Sequence, residues 1–328
     1  MRKWIKALTW VLVALIVLCG GMLGWMYSIY KNIKEDPTSA FGKNPGSGGI
    51  VSLDEGDHQQ TEGVVNILLL GIDSNEEREA KNKGYRSDTI ILLSLDMNNN
   101  KMNMISIPRD TRVEMNKLDR KTGEVTERTT NKINAAYAFG GGPKYYGAQN
   151  AVDCVEDFLS CDGMFDIHID YYASIDLEGL PKLASSLGGV EVVLDRDLKG
   201  IGKEGETVTI DESNIDDYLR NRKTGGGDDG RAERQQDFII AMVKKIQKLG
   251  AVKSATRLFN EALTYIRTDM GIDQILALAE FADGFDIDSI QRYRVTGEGQ
   301  YFGSTWYYVA DTQGLKEFIL EEFYDPLA

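Results

Sequence analysis

The sequence is poor in the residues that build several common catalytic and structural sites. It has two histidines, His58 and His168, and three cysteines among 328 residues. Two histidines argue against catalysis built on several imidazoles, and three cysteines exclude a disulfide-dense scaffold and paired zinc motifs. G-x-S-x-G, Walker A and H-E-x-x-H sequences are absent. The familiar hydrolase, nucleotide-binding and zinc-protease signatures are therefore excluded.

The chain also lacks positive charge outside its amino terminus. The net charge is −14, and residues 1–34 carry five basic residues and no acid, which leaves −19 for the remainder. A duplex DNA or RNA binder needs a basic face to displace counterions. We therefore expect no nucleic-acid partner.

One long uncharged apolar run is present near the start of the chain, at residues 7–30. At about 1.5 Å per residue, a helix of this length exceeds the roughly 30 Å hydrocarbon core of a bilayer. Arg2, Lys3 and Lys6 precede it and favour a cytoplasmic amino terminus. A cleaved signal peptide is the alternative, but the run is long for one and no A-x-A site follows.

A membrane anchor at residues 7–30 divides the chain into four parts. Residues 1–6 form a cytoplasmic tail, residues 7–30 a single transmembrane anchor, and residues 31–62 a Pro-, Gly- and Ser-containing extracytoplasmic linker. Residues 63–328 form the functional domain outside the cytoplasmic membrane. No internal repeat or second boundary divides this domain.

Strand-like and helical patterns alternate along the domain. Apolar runs predict strands at 64–72, 88–96 and 101–107, the last two joined as a hairpin, and further strands at 166–172, 190–193, 290–296 and 305–310. Helical spacing covers 146–160, 176–187, 211–219, 232–249, 254–265, 271–283 and 312–323, and residues 117–130 are predicted as a polar surface loop. This order predicts an α/β fold, a three-layer α/β/α sandwich with a mixed central sheet.

Polar side chains cluster where these elements begin or end. Asp73 ends the first strand, Arg86 and Asp88 begin the second, and Arg109 and Asp110 follow the third. A fourth cluster surrounds a Gly-rich stretch and contains Arg220, Arg222, Arg231, Arg234 and Gln235. Arginine forks suit phosphate oxygens, and a helix amino terminus favours an anion. The alternative is that these arginines pair with surplus surface acids.

The two aspartates at the strand ends suggest a cation. Mg²⁺ or Mn²⁺ is held in proteins by one or two carboxylates together with substrate phosphates and water. Asp73 and Asp88 match that donor set, although aspartates at strand ends also serve in turns. With the arginine cluster, they point to metal-assisted phosphoryl transfer.

Taken in order, six motifs resemble the LytR–CpsA–Psr (LCP) family of cell-wall glycopolymer transferases. They are NILLLGID, RSDTIILLSLD, MISIPRDTRVEM, NKINAAYAFGG, SLGGVEV and RNRK…GDDGRAERQQ, within residues 64–250. The resemblance implies an enzyme outside the membrane of a mainly Gram-positive cell. It would transfer a glycopolymer (teichoic acid, capsule or another secondary polymer) from an undecaprenyl-diphosphate carrier to peptidoglycan through a phosphodiester.

The resemblance also implies roles for individual residues. Asp88, Arg109 and Asp110 would be catalytic, with Asp88 or Asp110 deprotonating the acceptor, and Asp73 and Asp88 would hold magnesium. The pyrophosphate would be bound by Arg86, Arg109, Arg220, Arg222, Arg231, Arg234 and Gln235, and the lipid by Phe238, Ile239, Met242 and Val243. Many relatives carry an arginine just after the first aspartate, where this chain has Ser74 and Asn75, with Arg78 the nearest candidate.

Three questions stay open at this point. A hydrolase of the same lipid-linked pyrophosphates needs the same phosphate-binding residues. A membrane-tethered sensor or transcriptional attenuator that binds polyprenyl phosphates needs the arginines but not the paired carboxylates. A disulfide between Cys154 and Cys161 requires the intervening helix to end near Ser160, which Asp162 and Gly163 allow.

Overall fold

In a computed structural model the described part of the chain comprises residues 28–42, 49–53, 56–73, 85–176, 179–220, 227–250 and 265–327. Almost all of the predicted anchor, residues 7–30, lies outside these ranges. Residues 28–35 are helical, and no helix of the described residues is both long and apolar enough to cross a membrane.

Strands and helices alternate over most of the described chain. The strands are β1 Ile50–Leu53, β2 Gly56–Gln60, β3 Val64–Asp73, β4 Arg86–Asp96, β5 Lys101–Ser106, β6 Arg112–Leu118, β7 Val125–Lys132, β8 Tyr171–Asp176, β9 Val190–Val193, β10 Thr207–Ile210, β11 Ile266–Thr268, β12 Gln291–Arg294, β13 Gly297–Phe302, β14 Thr305–Ala310 and β15 Tyr324–Pro326. The helices are α1 Ala136–Phe139, α2 Gly147–Leu159, α3 Leu180–Ser186, α4 Ile215–Arg220, α5 Gly227–Leu249, α6 Ile272–Gly284 and α7 Thr312–Phe323.

A six-stranded mixed sheet forms the centre, in the order β11-β8-β3-β4-β5-β12. β3 pairs with β8 and β5 with β12 in parallel, while β3–β4, β4–β5 and β8–β11 are antiparallel. β3 and β4 are near-continuous apolar runs because both faces of these strands are covered. The predicted mixed α/β sheet and the predicted β4–β5 hairpin are confirmed.

Helices cover both faces of this sheet. Along β3, Leu68 and Leu70 belong to one buried cluster and Val65 and Ile67 to another, as the two-residue period of a strand requires. The first cluster includes side chains of α2 and α7, and the second includes side chains of α5 and α6. The described residues therefore form three layers.

A smaller cluster extends the α5 side of the molecule. The β9–β10 hairpin packs with α3, α4 and α5 around buried residues such as Val190 and Phe238. Gly188 and Gly189 end α3 with φ near +78°, a conformation that favours glycine. This hairpin gives α5 a second surface to pack against.

Two local predictions were wrong. Residues 117–130 contribute to a β6–β7 hairpin rather than a loop, because exposed β7 carries no apolar alternation to mark a strand. β8 begins at Tyr171, after the predicted start at 166. Ile167 and Ile169 are buried, but the segment that carries them is not part of the sheet. The Ile169 amide, for example, donates to Glu156 Oε1 at 2.7 Å.

Parts of the predicted linker, residues 31–62, pack into the folded domain. β1 pairs with β2, and β2 pairs with β15 at the other end of the chain. Ile33, Phe41 and Val51 are buried. The packed region therefore begins before residue 63.

The two described cysteines are both free. α2 ends at Leu159, yet the buried thiols of Cys154 and Cys161 are not joined.

Candidate active site

Antiparallel pairing brings the first two polar clusters together. The carboxyl end of β3 lies beside the amino end of β4, so Asp73 is opposite Arg86, and a register shift follows Gly71. The side chains of Asp73 and Asp88 line the same large cavity. Both aspartates thus stand at the same end of two neighbouring strands of the central sheet.

Asp88 is held by two donors. Arg109 Nη1 donates to Asp88 Oδ2 at 2.5 Å, and Asn134 Nδ2 donates to Asp88 Oδ1 at 3.2 Å. Arg109 Nε lies 3.5 Å from Asp110 Oδ2, and Lys132 Nζ lies 2.7 Å from Asp110 Oδ1. The side chains of Asp88, Arg109, Asp110 and Lys132 form a row of alternating charge. Each side chain is about one-fifth exposed, so solvent screens these ion pairs only partly.

A tight turn after β5 fixes this chain of charges. Pro108 interrupts the strand, and the buried Thr111 donates from both its amide and its hydroxyl to the Pro108 carbonyl, at 2.9 and 2.6 Å. The Asn134 amide donates to the Arg109 carbonyl at 3.2 Å. The sequence Pro-Arg-Asp-Thr therefore holds Arg109 and Asp110 in a fixed orientation.

Helix α5 contributes the opposite wall and is anchored on several sides. Gln236 Nε2 donates to Ser106 Oγ of β5 at 2.9 Å, and Arg292 of β12 donates to Asp237 Oδ1 at 2.6 Å. Burial raises the pKa of Asp237, and the pairing with Arg292 opposes that effect. With these contacts made, Arg231 and Gln235 near the helix start face the site.

Arg234 does not join them. Its side chain is 1% exposed, its Nε donates to the Tyr218 carbonyl of α4 at 2.7 Å, and burial lowers its pKa. In a helix, i, i+3 and i+4 spacing would place Arg231, Arg234 and Gln235 near one another on one face. Adjacent residues are roughly 100° apart around a helix, so Gln235 stays near Arg231 while Arg234 turns towards α4.

Two cavities adjoin at this wall. A cavity of about 230 Å³ is named the polar cavity for the charged side chains in its lining, which include Arg109, Asp110 and Arg294. Trp306 and Tyr308 also line it. A larger apolar cavity of about 970 Å³ lies on the other side. The residues that line both are Asp88, Thr89, Ile91, Arg231 and Gln235.

The apolar cavity runs between the sheet and helices α5 and α6. Phe238, Ile239 and Met242 line it, as does Ile246 one turn further on. Val243, which the sequence grouped with them, is buried in the core with Ile240 and does not line the cavity. Periodicity could not separate these two surfaces, because both are apolar.

The remaining predicted phosphate ligands differ in position. Arg220, at the end of α4, lines the apolar cavity and pairs with Asp216 Oδ1 at 3.4 Å. Arg86 is exposed and lines neither cavity. Arg222, Ser74, Asn75 and Arg78 lie outside the described residues.

Several residues of the site were not predicted from the sequence. Lys132 and Asn134 hold Asp110 and Asp88, and both belong to the motif NKINAAYAFGG, which was the available signal. Arg294, Trp306 and Tyr308 line the polar cavity from the far end of the chain. Nothing in their local pattern connected them with β4.

The donor set suits a cation only in combination with substrate. Asp73 and Asp88 face one cavity, and within the described ranges no group of three or more His, Cys, Asp or Glu side chains could hold a metal. Two carboxylates match Mg²⁺ whose other positions are filled by phosphate oxygens and water. The residues present therefore fit a substrate-completed Mg²⁺ site rather than a closed structural one.

Comparisons with known proteins agree with this architecture. The LytR_cpsA_psr family model matches residues 27–322. The chain is 33% identical to the polyisoprenyl-teichoic acid–peptidoglycan teichoic acid transferase TagU of Halalkalibacterium halodurans, over 78% of this chain and 80% of that protein. It is 28% identical to the corresponding Bacillus subtilis transferase TagV, over 96% and 77%. The crystal structure of B. subtilis TagV superposes with a TM-score of 0.62, covering 79% of this chain and 96% of that one.

Proposed function

Because this chain belongs to the LytR_cpsA_psr family, we propose that it transfers a glycopolymer from a polyprenyl-diphosphate carrier to peptidoglycan. The supporting observation is the meeting of an apolar and a polar cavity at Asp88, Arg231 and Gln235. An apolar chain ending in a diphosphate and a sugar needs such a junction. Relatives named as teichoic acid transferases favour a wall teichoic acid as the glycopolymer.

In this proposal the polyprenyl chain occupies the large cavity. Phe238, Ile239 and Met242 supply its apolar wall along α5. The diphosphate then lies at the junction, near Arg231, Gln235 and the start of α5, where a helix amino terminus favours negative charge. Arg220, which lines the apolar cavity at the end of α4, adds a further phosphate contact.

The reaction joins the acceptor oxygen to the phosphorus that carries the sugar. The bond from that phosphorus to the bridging oxygen breaks, and polyprenyl phosphate leaves. We assign Asp110 as the group that takes the proton from the acceptor hydroxyl. Asp110 lines only the polar cavity, whereas Asp88 lines both cavities. Arg109, fixed between Asp88 and Asp110, stabilises charge that develops on the transferring group.

Asp73 and Asp88 would hold Mg²⁺, which would neutralise diphosphate charge during transfer. Asp73→Asn should then raise the Mg²⁺ concentration needed for half-maximal activity. Residues 7–30 would anchor the enzyme in the cytoplasmic membrane, with the domain outside, where carrier and wall meet.

The test uses the full chain with a short polyprenyl-diphosphate-linked glycopolymer, peptidoglycan oligosaccharides and Mg²⁺. Mass spectrometry should detect a phosphodiester-linked product with the wild type, and Arg109→Ala should lose it. Arg128→Ala is the matched control, since Arg128 is an ion-paired arginine that is exposed and lines neither cavity. Release of the sugar phosphate to water without transfer would instead identify a hydrolase, and donor binding without turnover would identify a sensor.

A further inference from the structure

The β13–β14 hairpin carries an unusual set of exposed aromatic rings. Tyr301 is 69% exposed, Phe302 39% and Trp306 36%. Exposed aromatic clusters of this kind mark binding surfaces more often than scattered single rings do. The proposed donor chemistry uses none of these three rings.

Strand register assigns the rings to two faces. Tyr301 is directly opposite Trp306, and Gly299 is opposite Tyr308, so these four residues share one face. Phe302 lies on the other face, where the guanidinium of Arg112 covers its ring at 4.3 Å. Gly299, Trp306 and Tyr308 line the polar cavity, and Phe302 does not.

Glycine makes room for the indole ring on the cavity face. A Cβ at position 299 would lie 2.8–2.9 Å from three atoms of the Trp306 indole. No ordinary side chain fits there without displacing the ring. The indole therefore crosses Gly299 in the cavity wall.

The hairpin is fixed directly to the catalytic turn. The Tyr308 amide donates to the Asp110 carbonyl at 2.9 Å, and Thr111 bridges to Tyr308 in parallel. Lys132, which pairs with Asp110, also places its ammonium 5.6 Å from the Trp306 ring centre. The aromatic face is thus held beside the carboxylate that we assign to the acceptor proton.

We propose that the face formed by Gly299, Tyr301 and Trp306 binds a sugar ring of the peptidoglycan acceptor. This inference rests on the transferase function proposed above. In phosphoryl transfer the attacking and leaving oxygens lie roughly in line through phosphorus. If polyprenyl phosphate leaves into the apolar cavity, the acceptor hydroxyl must arrive from the opposite side, which is the polar cavity.

The chemistry of this face suits a sugar better than a lipid. A pyranose has apolar C–H faces and a polar rim, and aromatic rings beside charged groups match both. Trp306 supplies the ring, while Asp110, Lys132 and Arg294 supply polar partners around it. The lipid already has a larger cavity lined mainly by aliphatic side chains.

The sequence allows a direct binding test, because tryptophan occurs elsewhere only at positions 4, 10 and 25. Replacing those three by phenylalanine in the full chain leaves Trp306 as the single indole fluorophore. Titration with soluble GlcNAc–MurNAc oligosaccharides should give a saturable change in its emission. No change, or a change produced by the lipid-linked donor alone, would overturn the assignment to the acceptor.

Transfer kinetics separate binding from structure. Trp306→Ala and Tyr301→Ala should raise the KM for the acceptor about tenfold while leaving the KM for the donor unchanged. Phe302→Ala is the matched control, since this ring lies on the opposite face of the same hairpin with similar exposure to Trp306. Equal effects of Phe302→Ala and Tyr301→Ala would refute the proposal. Acceptor binding without any wild-type transfer would leave the sugar site standing and reject the transferase.

Discussion

Replacing Arg234 by methionine should destabilise the fold without weakening donor binding. The side chain is 1% exposed, and its Nε donates to the Tyr218 carbonyl at 2.7 Å. Losing a charged hydrogen bond to a buried carbonyl costs about 1.5–3 kcal/mol. Methionine keeps much of the apolar contact, so we expect the free energy of unfolding to fall by about 3 kcal/mol. At roughly 2–4 °C per kcal/mol, the Tm should fall by about 6–12 °C.

Arg231→Met is the comparison that makes this result informative. Arg231 is one turn away on the same helix and lines both cavities. Its loss should lower kcat/KM about 100-fold, mainly by raising the KM for the donor, which is the scale of losing about 2–3 kcal/mol of charged hydrogen bonding. The Tm should change by less than about 2 °C. Thermal unfolding of the full chain and transfer assays at a temperature where both variants are folded would measure the two effects. An unchanged Tm for Arg234→Met together with a tenfold higher donor KM would refute the structural role of Arg234.

Three further outcomes follow from the described residues. Met242→Trp should fill part of the apolar cavity. In transfer assays it should therefore raise the KM for a long polyprenyl donor more than the KM for a short-chain donor. Equal effects on the two KM values would contradict lipid binding in this cavity. Burial raises the pKa of Cys161 to about 11 and of Cys154 to about 12. Since a group with a raised pKa stays protonated until the pH approaches that value, thiolate at pH 8 is about one part in a thousand or less. After treatment with an alkylating reagent, peptide mapping should show both thiols unmodified in the native protein and modified after unfolding. Their reactivity should increase as the pH rises. Alkylation of the native protein at pH 8 would contradict the burial of these thiols. Tyr324→Phe removes a hydrogen bond from the Asp166 amide at 3.0 Å, so calorimetry should find a Tm lower by about 2–4 °C; an unchanged Tm would show that this bond adds no net stability.

The central sheet could be predicted from sequence because its strands are buried on both faces. β3, β4 and β5 appear as apolar runs, and the turn between β4 and β5 is marked by consecutive asparagines. The β6–β7 hairpin could not be predicted, because β7 is largely exposed and polar. β1 and β2 could not be predicted for another reason. Both are short, and β2 pairs with β15 from the far end of the chain, which no local pattern reveals.

Within the site, local sequence located charges but not the directions in which they point. The positions of four charged residues could be predicted because they lie at strand ends: Asp73, Asp88, Arg109 and Asp110. Strand pairing then brings these ends together at one end of the sheet. Arg234 and Gln235 are adjacent in sequence, yet one packs against α4 and the other lines both cavities. That difference depends on where α4 and the sheet lie around α5, which is tertiary information.

The charges of the site also divide into two groups with different tasks. On the sheet side, Asp88, Arg109, Asp110 and Lys132 alternate in sign, so these four side chains are neutral as a group. A neutral chain of charges offers little net attraction for a diphosphate, but it holds each member in a defined orientation. Net attraction must then come from the α4–α5 side, mainly from Arg231, because Arg220 is also paired with Asp216. Substitutions on the sheet side should therefore act mainly on kcat, and substitutions on the helical side mainly on the KM for the donor.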